Sequence, residues 1–410
     1  MKIILYAPIY ALLLCSSLFA LDLDESVNLA LQRSYKIKEQ KIKLQRLRAE
    51  LGIYEGSYYP KIDFTYKAGY EIGSSEFGNK ASLGMELNLF NGLKDKNAIA
   101  MQESMIYSQE EEVRRMQEEI KYMTQKLYVQ ILLAKGSLEI SKESAHLLEL
   151  QLKQAQQFYK QGISAKNNVL SVEVSLASAR LEINAHTTRL NYLFSAIKEM
   201  IERDFELSDL KDLPLCEDEV DYDRLSLIVF EHKPEYKAMQ RQKEALRYAI
   251  SAARGNYYPK VDLNVLGDYG FGGKYYRSQA FIGLGLSLNL FNGLKDSKGI
   301  EAKQYELLGL ESRISAYKKD VLTELKRAVG EFNLARDQYI LSKKTIENAQ
   351  ENYRIVSNRY KQKLETSSDL LDAELMLKNA KANLLKTHYA LWENLFYVEY
   401  LMGGNRGVFF

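Results

Sequence analysis

Asn88-Leu89-Phe90-Asn91-Gly92-Leu93-Lys94-Asp95 recurs without a change as Asn289-Leu290-Phe291-Asn292-Gly293-Leu294-Lys295-Asp296, at an offset of 201 residues. Upstream, Tyr58-Tyr59-Pro60-Lys61 returns as Tyr257-Tyr258-Pro259-Lys260 at an offset of 199. Downstream, Tyr159-Lys160-Gln161 returns as Tyr360-Lys361-Gln362 and Leu170 as Leu371, again at 201. The chain is a tandem duplication, so the architecture follows from reading one copy. The two extra residues of the second copy fall between Lys61 and Asn88, where a loop can absorb them. From Asn88 to Leu170 the register holds without a gap, as packed helices require.

Just before the repeated octapeptide the hydrophobic period is two. Ile62, Phe64, Tyr66, Ala68, Tyr70 and Ile72 alternate with Asp63, Thr65, Lys67, Gly69 and Glu71, and Leu83, Met85, Leu87 and Leu89 with Ser82, Gly84, Glu86 and Asn88. The second copy sets Val261, Leu263 and Val265 against Asp262 and Asn264. Ile282, Leu284, Leu286, Leu288 and Leu290 then stand against Gly283, Gly285, Ser287 and Asn289. Leu266-Gly267 interrupts this alternation. The pattern predicts strands at about 61–72, 81–91, 260–271 and 280–291, joined by turn-rich loops at 73–80 and 272–279. A soluble sheet resting on a core shows the same alternation. Aromatic residues at the strand ends (Tyr58, Tyr59, Phe90, Tyr257, Tyr258, Phe291) and the lack of any element to cover the sheet favour a membrane barrel.

Around the strands the period is helical. Residues 22–57 read as helix, and proline-free stretches follow at 95–161 and 296–362, each reaching on the order of 100 Å. Val113, Met116, Ile120, Met123, Leu127, Ile131, Ala134, Leu138, Ala145, Leu148, Leu152, Ala155 and Tyr159 form a coiled-coil seam with one four-four step, a stutter. Gly162-Ile163-Ser164 and Lys363-Leu364-Glu365 are tight turns at corresponding places, from which helices 166–205 and 367–402 return, the latter capped by Thr366 or Ser367. The chain divides into repeat 1 (21–205), an acidic linker with Pro214 and Cys216 (206–223), repeat 2 (224–402) and a tail (403–410).

Residues 1–20 read as a secretory signal peptide: Met1-Lys2, an apolar core to Leu14, and an exit through Ser16-Ser17-Leu18-Phe19-Ala20. Lipidation at Cys15 is the alternative processing. With the leader removed Cys216 is the only cysteine, so an intramolecular disulfide is impossible. The 56 Lys+Arg against 54 Asp+Glu leave no electrostatic footprint for nucleic acid. Beyond Leu14 no apolar run is long enough for a spanning helix. His146, His186, His232 and His388 lack second ligands at metal spacing, and no phosphate loop or nucleophile elbow is present. The expectation is a protein that is neither an enzyme nor a carrier of metal or cofactor.

A duplicated unit of helix, strand hairpin, long helix, tight turn and helix, with Phe-Asn-Gly after the second strand and Tyr-x-x-Gly at the helical tip, resembles the TolC family of outer-membrane efflux and secretion channels. The resemblance covers essentially the whole mature chain. It implies an α+β membrane protein, in which long coiled helices form a periplasmic α-barrel and two β-hairpins contribute to an oligomeric transmembrane β-barrel. It also implies a homotrimer in the outer membrane of a Gram-negative bacterium, serving a periplasmic adaptor and an inner-membrane transporter. Oligomerisation is demanded independently, since four strands are half the minimum of about eight for a closed membrane barrel. Ile62, Phe64, Tyr66, Leu83, Met85, Leu87, Val261, Leu263, Leu284, Leu286 and Leu288 would then face outer-membrane lipid. Gly162, Ile163, Ser164, Lys363, Leu364 and Glu365 would be the tips on which the adaptor docks.

The family places an aspartate pair at the narrow periplasmic entrance, and Asp369 and Asp372 match it. Tyr360 matches a tyrosine that helps to close this gate, and Asn168 lies where its hydrogen-bond partner is expected. Glu365 departs from the pattern, which often has a basic residue there. The alternative role, an acid in the first turn of a helix worth about 0.3–1 kcal/mol, explains Asp369 adequately and Asp372 less well. The class-distinct alternative is a non-channel periplasmic adaptor or scaffold built from helical hairpins.

Overall fold

The computed structural model describes residues 22–71, 76–214, 220–271 and 278–404. The leader with Cys15, and also Cys216, Lys274 and Phe409-Phe410, lie outside them. The described residues sort into two compact units, one of 22–34, 120–214 and 333–396, the other of 35–119, 220–332 and 397–404.

The first repeat runs α1 (Leu23–Arg33), α2 (Tyr35–Glu55), β1 (Lys61–Glu71), β2 (Glu76–Phe90), α3 (Lys94–Lys160) and α4 (Lys166–Ile201). The second runs α5 (Tyr222–His232), α6 (Pro234–Arg254), β3 (Lys260–Phe271), β4 (Gln279–Ser287), α7 (Lys295–Lys361) and α8 (Ser367–Leu401). Long helices with one small antiparallel sheet are the fold class expected. α3 and α7 each run 67 residues unbroken.

The expected single helix over 22–57 is two helices. Ser34 leaves the helical region at φ −59°, ψ 115°, after its N–H has closed the last turn on Ala30. Lys233 does the same at φ −66°, ψ 110°, where Pro234 excludes the helical conformation from the residue before it. The first repeat makes this break without a proline. α4 stops at Ile201, not 205, because Glu202 turns into the left-handed region at φ 48°.

The sheet lies in the second unit, in the order β1-β2-β3-β4 with every neighbour antiparallel. Its register puts Phe64 opposite Leu83, Leu87 opposite Leu263, and Leu263 opposite Leu284, so the apolar sets of all four strands share one face. The other face is polar and internally paired: Lys61 with Asp63 at 2.8 Å, Lys80 with Asp268 at 2.8 Å, and Lys260 with Asp262 at 3.0 Å. The interruption at Leu266-Gly267 is one of side-chain type, not of pleat. Gly267 keeps its place on the apolar face opposite Leu83, while Leu266 stands on the polar face opposite Phe281.

Two strand limits differ from expectation. β2 begins at Glu76, because residues 76–80 pair with 67–71 and are strand, not loop. β4 ends at Ser287, not 291: its last partner is Lys260, and Pro259 before it has no N–H to extend the ladder. Both strand-to-helix junctions carry two successive left-handed residues, Gly92-Leu93 and Gly293-Leu294. At Gly92 a Cβ would stand 2.4 Å from the carbonyl oxygen of Gly255, so no other residue fits. Asn91 Nδ2 donates to Asp95 at 2.6 Å, and Asn292 makes the same bond to Asp296, which accounts for the repeated Asn and Asp.

The seam of α3 drifts where the stutter was read. Met123 is exposed and Leu127 half-buried, while Thr124, Tyr128 and Val129 are buried. The helix steps 120-124-128 because 3.6 residues per turn outrun a strict heptad. Within the first unit the polar tips of two buried tyrosines and a half-buried tryptophan then hold the linker. The Tyr128 hydroxyl donates to the Lys211 carbonyl at 2.7 Å, that of Tyr389 to Asp212 at 2.8 Å, and Trp392 Nε1 to the Pro214 carbonyl at 2.9 Å.

Candidate functional site

The candidate entrance and tip residues all lie in the first unit, where α3 turns into α4 and α7 into α8. Both turns are Schellman motifs. In the first, Gly162 N–H donates to the Tyr159 carbonyl and Ile163 N–H to that of Phe158, each at 2.9 Å. In the second, Lys363 donates to Tyr360 at 3.0 Å and Leu364 to Arg359 at 2.9 Å. The left-handed position falls to Gly162 in one tip and to a lysine in the other. Ile163 and Leu364 stand exposed at 47% and 62%. Ser164 accepts from Asn168 Nδ2 at 2.9 Å, and Glu365 accepts from Arg359 Nε at 2.8 Å.

Asp369 and Asp372 have different environments. Thr366 is the N-cap of α8, and Asp369 closes a capping box with it. Asp369 Oδ2 accepts from Thr366 N–H at 2.9 Å and from its hydroxyl at 2.6 Å, and the Thr366 hydroxyl accepts from Asp369 N–H at 3.2 Å. These bonds hold the Asp369 carboxyl below the usual range. Asp372 is exposed, has none of these bonds, and lines an open groove between α7 and α8 with Asn352 and Met376. The helix-stabilising role thus accounts for Asp369 and leaves Asp372 without one.

Tyr360 is buried, with its ring 5.8 Å from that of Phe158 of α3, and burial pushes its hydroxyl up. Within one protomer its hydroxyl faces Ser367, while Asn168 donates to Ser164. Phe158 is the contact that sequence reading missed: it also lies 5.6 Å beneath the Lys363 ammonium, so one ring joins the two tips. The aromatic at 158 carries no signal of its own, because its partners are about 200 residues away.

The strand residues are as exposed as an unpaired face requires. Ile62, Phe64, Tyr66, Leu83, Leu284, Leu286 and Leu288 are exposed, and Met85, Leu87, Val261 and Leu263 are half-buried between neighbouring strands. Leu288 lies beyond the end of β4. Among the described residues no helix is long and apolar enough to cross a membrane.

The model of the outer membrane efflux protein family matches residues 26–194 and 229–404, one segment in each repeat. Among curated relatives, the outer membrane efflux protein BepC of Brucella suis is 19% identical, covering 90% of this chain and 85% of its own length. The outer membrane protein TolC of Salmonella enteritidis is 20% identical, covering 83% of this chain and 72% of its own. Among solved structures, the outer membrane protein VceC of Vibrio cholerae superposes with a TM-score of 0.82 at 15% identity, over 93% of this chain and 96% of that one. The outer membrane channel CmeC of Campylobacter jejuni does so with 0.79 at 17% identity, over 93% and 85%. These structures share the fold, and the family match over both repeats carries the assignment. The chain belongs to the outer membrane efflux protein family, as a protein of the Gram-negative outer membrane with a large helical periplasmic part.

Proposed function

We propose that three copies of this chain close a twelve-stranded barrel and form the exit duct of a tripartite efflux pump or type I secretion system. The duct conducts cargo passively from a periplasmic adaptor and inner-membrane transporter to the exterior, without an enzymatic step. The observation that carries this reading is the sheet: four strands with one apolar face, one polar face, and unpaired outer edges at β1 and β4. Exposed edges with a greasy outer face are unstable in isolation. Edge-to-edge closure of identical copies buries the edges and gives a polar lumen.

Asp369, Asp372, Tyr360 and Asn168 form the entrance gate in this reading, the aspartates lining it and Tyr360 and Asn168 helping to hold it closed. Threefold assembly turns Asp372 into a ring of carboxylates, and like charges crowded at a constriction attract multivalent cations. The exposed Ile163 and Leu364, with Ser164, Lys363 and Glu365 beside them, form the adaptor-docking surface. The test is a trivalent cation added on the periplasmic side in planar bilayers. Block should be strong in the wild type and lost in Asp369→Asn/Asp372→Asn. Unchanged block in that variant removes both residues from the entrance.

A further inference from the structure

Glu374, Lys378 and Lys381 follow one another at four- and three-residue spacing, on one side of α8. Each meets the hairpin of α3 and α4. The Ser144 hydroxyl of α3 donates to Glu374 Oε1 at 2.5 Å. Lys378 Nζ donates to Glu182 of α4 at 2.5 Å, and Lys381 Nζ to both oxygens of Glu143 of α3 at 2.6 Å. The glutamates of the two ion pairs are open to solvent at 43% and 52%, whereas Glu374 is 6% exposed. Its counterpart in the first repeat, Glu173, is exposed. An acid has therefore been enclosed in one copy only, two residues after Asp372.

The groups that face Glu374 come from all four helices. α3 supplies Ser144 and Glu143, α4 supplies Glu182, α7 supplies Tyr353, and α8 supplies Lys378 and Lys381. Only Lys378 offsets a negative charge on Glu374 directly, and it is already held by Glu182. Burial pushes the Glu374 carboxyl up, and Glu182 adds to this, against the downward pull of the Ser144 bond and the Lys378 charge.

We propose that Glu374 is a positioning residue for the entrance: protonated, it tightens the packing of the first turns of α8 on α3, and ionised, it loosens that packing. This rests on reading Asp369 and Asp372 as the entrance. The packed seam takes up its proton at a higher pH than a hydrated carboxyl does. Lowering the pH through the mildly acidic range above the ordinary carboxylate value therefore favours the packed state, and raising it withdraws that gain. Asp369, held below the ordinary range, stays ionised throughout and does not contribute.

The experiment is amide hydrogen exchange of residues 367–378 in the full-length, detergent-solubilised protein at about pH 5 and about pH 8, corrected for intrinsic rates. The wild type should be severalfold more protected at the lower pH. Glu374→Gln, a neutral isostere that still accepts from Ser144, should be equally protected at both. A pH dependence in Glu374→Gln as large as in the wild type overturns the proposal. Ser144→Ala, which leaves the acid in place, should lower protection at both pH values and keep the dependence; its loss would overturn the proposal equally. The entrance reading fails by another readout, the trivalent block, so the two failures are distinguishable.

Discussion

Lys363 holds φ +64°, the left-handed conformation that Gly162 holds at φ +72° in the other tip. A side chain there costs about 1 kcal/mol, and the ammonium over Phe158 returns about 0.5 kcal/mol at an exposed site. Lys363→Gly should therefore slow amide exchange across residues 359–366 by a factor of about two or more. Gly162→Ala should speed it across 158–165. Faster exchange in Lys363→Gly would show that the lysine contact outweighs backbone strain.

The capping box makes the start of α8 acid-sensitive in a defined direction. Because the bonds from Thr366 depress the Asp369 pKa, their stabilisation is complete above the ordinary aspartate range and is lost as the pH falls through the depressed value. Asp369→Asn should already show at neutral pH the fraying that the wild type shows only in acid. Exchange of residues 366–370 that is identical in the two at neutral pH would count against the cap.

Substitution on the two sheet faces should give opposite results. Leu284→Arg puts a charge on the apolar face and should cost about 2–4 kcal/mol near mid-membrane, seen as lost assembly of detergent-resistant oligomer. Thr65→Lys on the polar face should assemble normally. Equal tolerance of both variants would remove the lipid-facing assignment.

The linker clamp predicts a local effect. Trp392→Phe and Tyr389→Phe each remove one hydrogen bond to residues 212–214, worth about 1 kcal/mol. Limited proteolysis should cut this segment several times faster in either variant, and faster still in the double variant. Cleavage at the wild-type rate would mean that apolar packing alone holds it.

What was legible in the sequence followed from local periodicity. The strands announced themselves by a period of two, which missed residues 76–80 and ran past the end of β4 at Ser287, and the tips by Gly162 and its counterpart. The helix break at Ser34 was illegible because no proline marks it, and the seam position of Tyr128 depends on accumulated helical drift. Of the two aspartates, sequence already fitted the helix-stabilising role better to Asp369 than to Asp372, and the bonds of Thr366 give the physical ground of that difference. Phe158–Tyr360 and Ser144–Glu374 were beyond reach for one reason: each pair joins the two repeats across about 200 residues or more, where no spacing rule applies.

The central claim is that copies of this chain form a pore, and single-channel recording of the purified protein in planar bilayers tests it most directly. Insertion should produce discrete, uniform conductance steps that Leu284→Arg abolishes and that Asp369→Asn/Asp372→Asn leaves in place with altered cation block. A protein that extracts without detergent and adds no conductance steps to the bilayer would contradict the account.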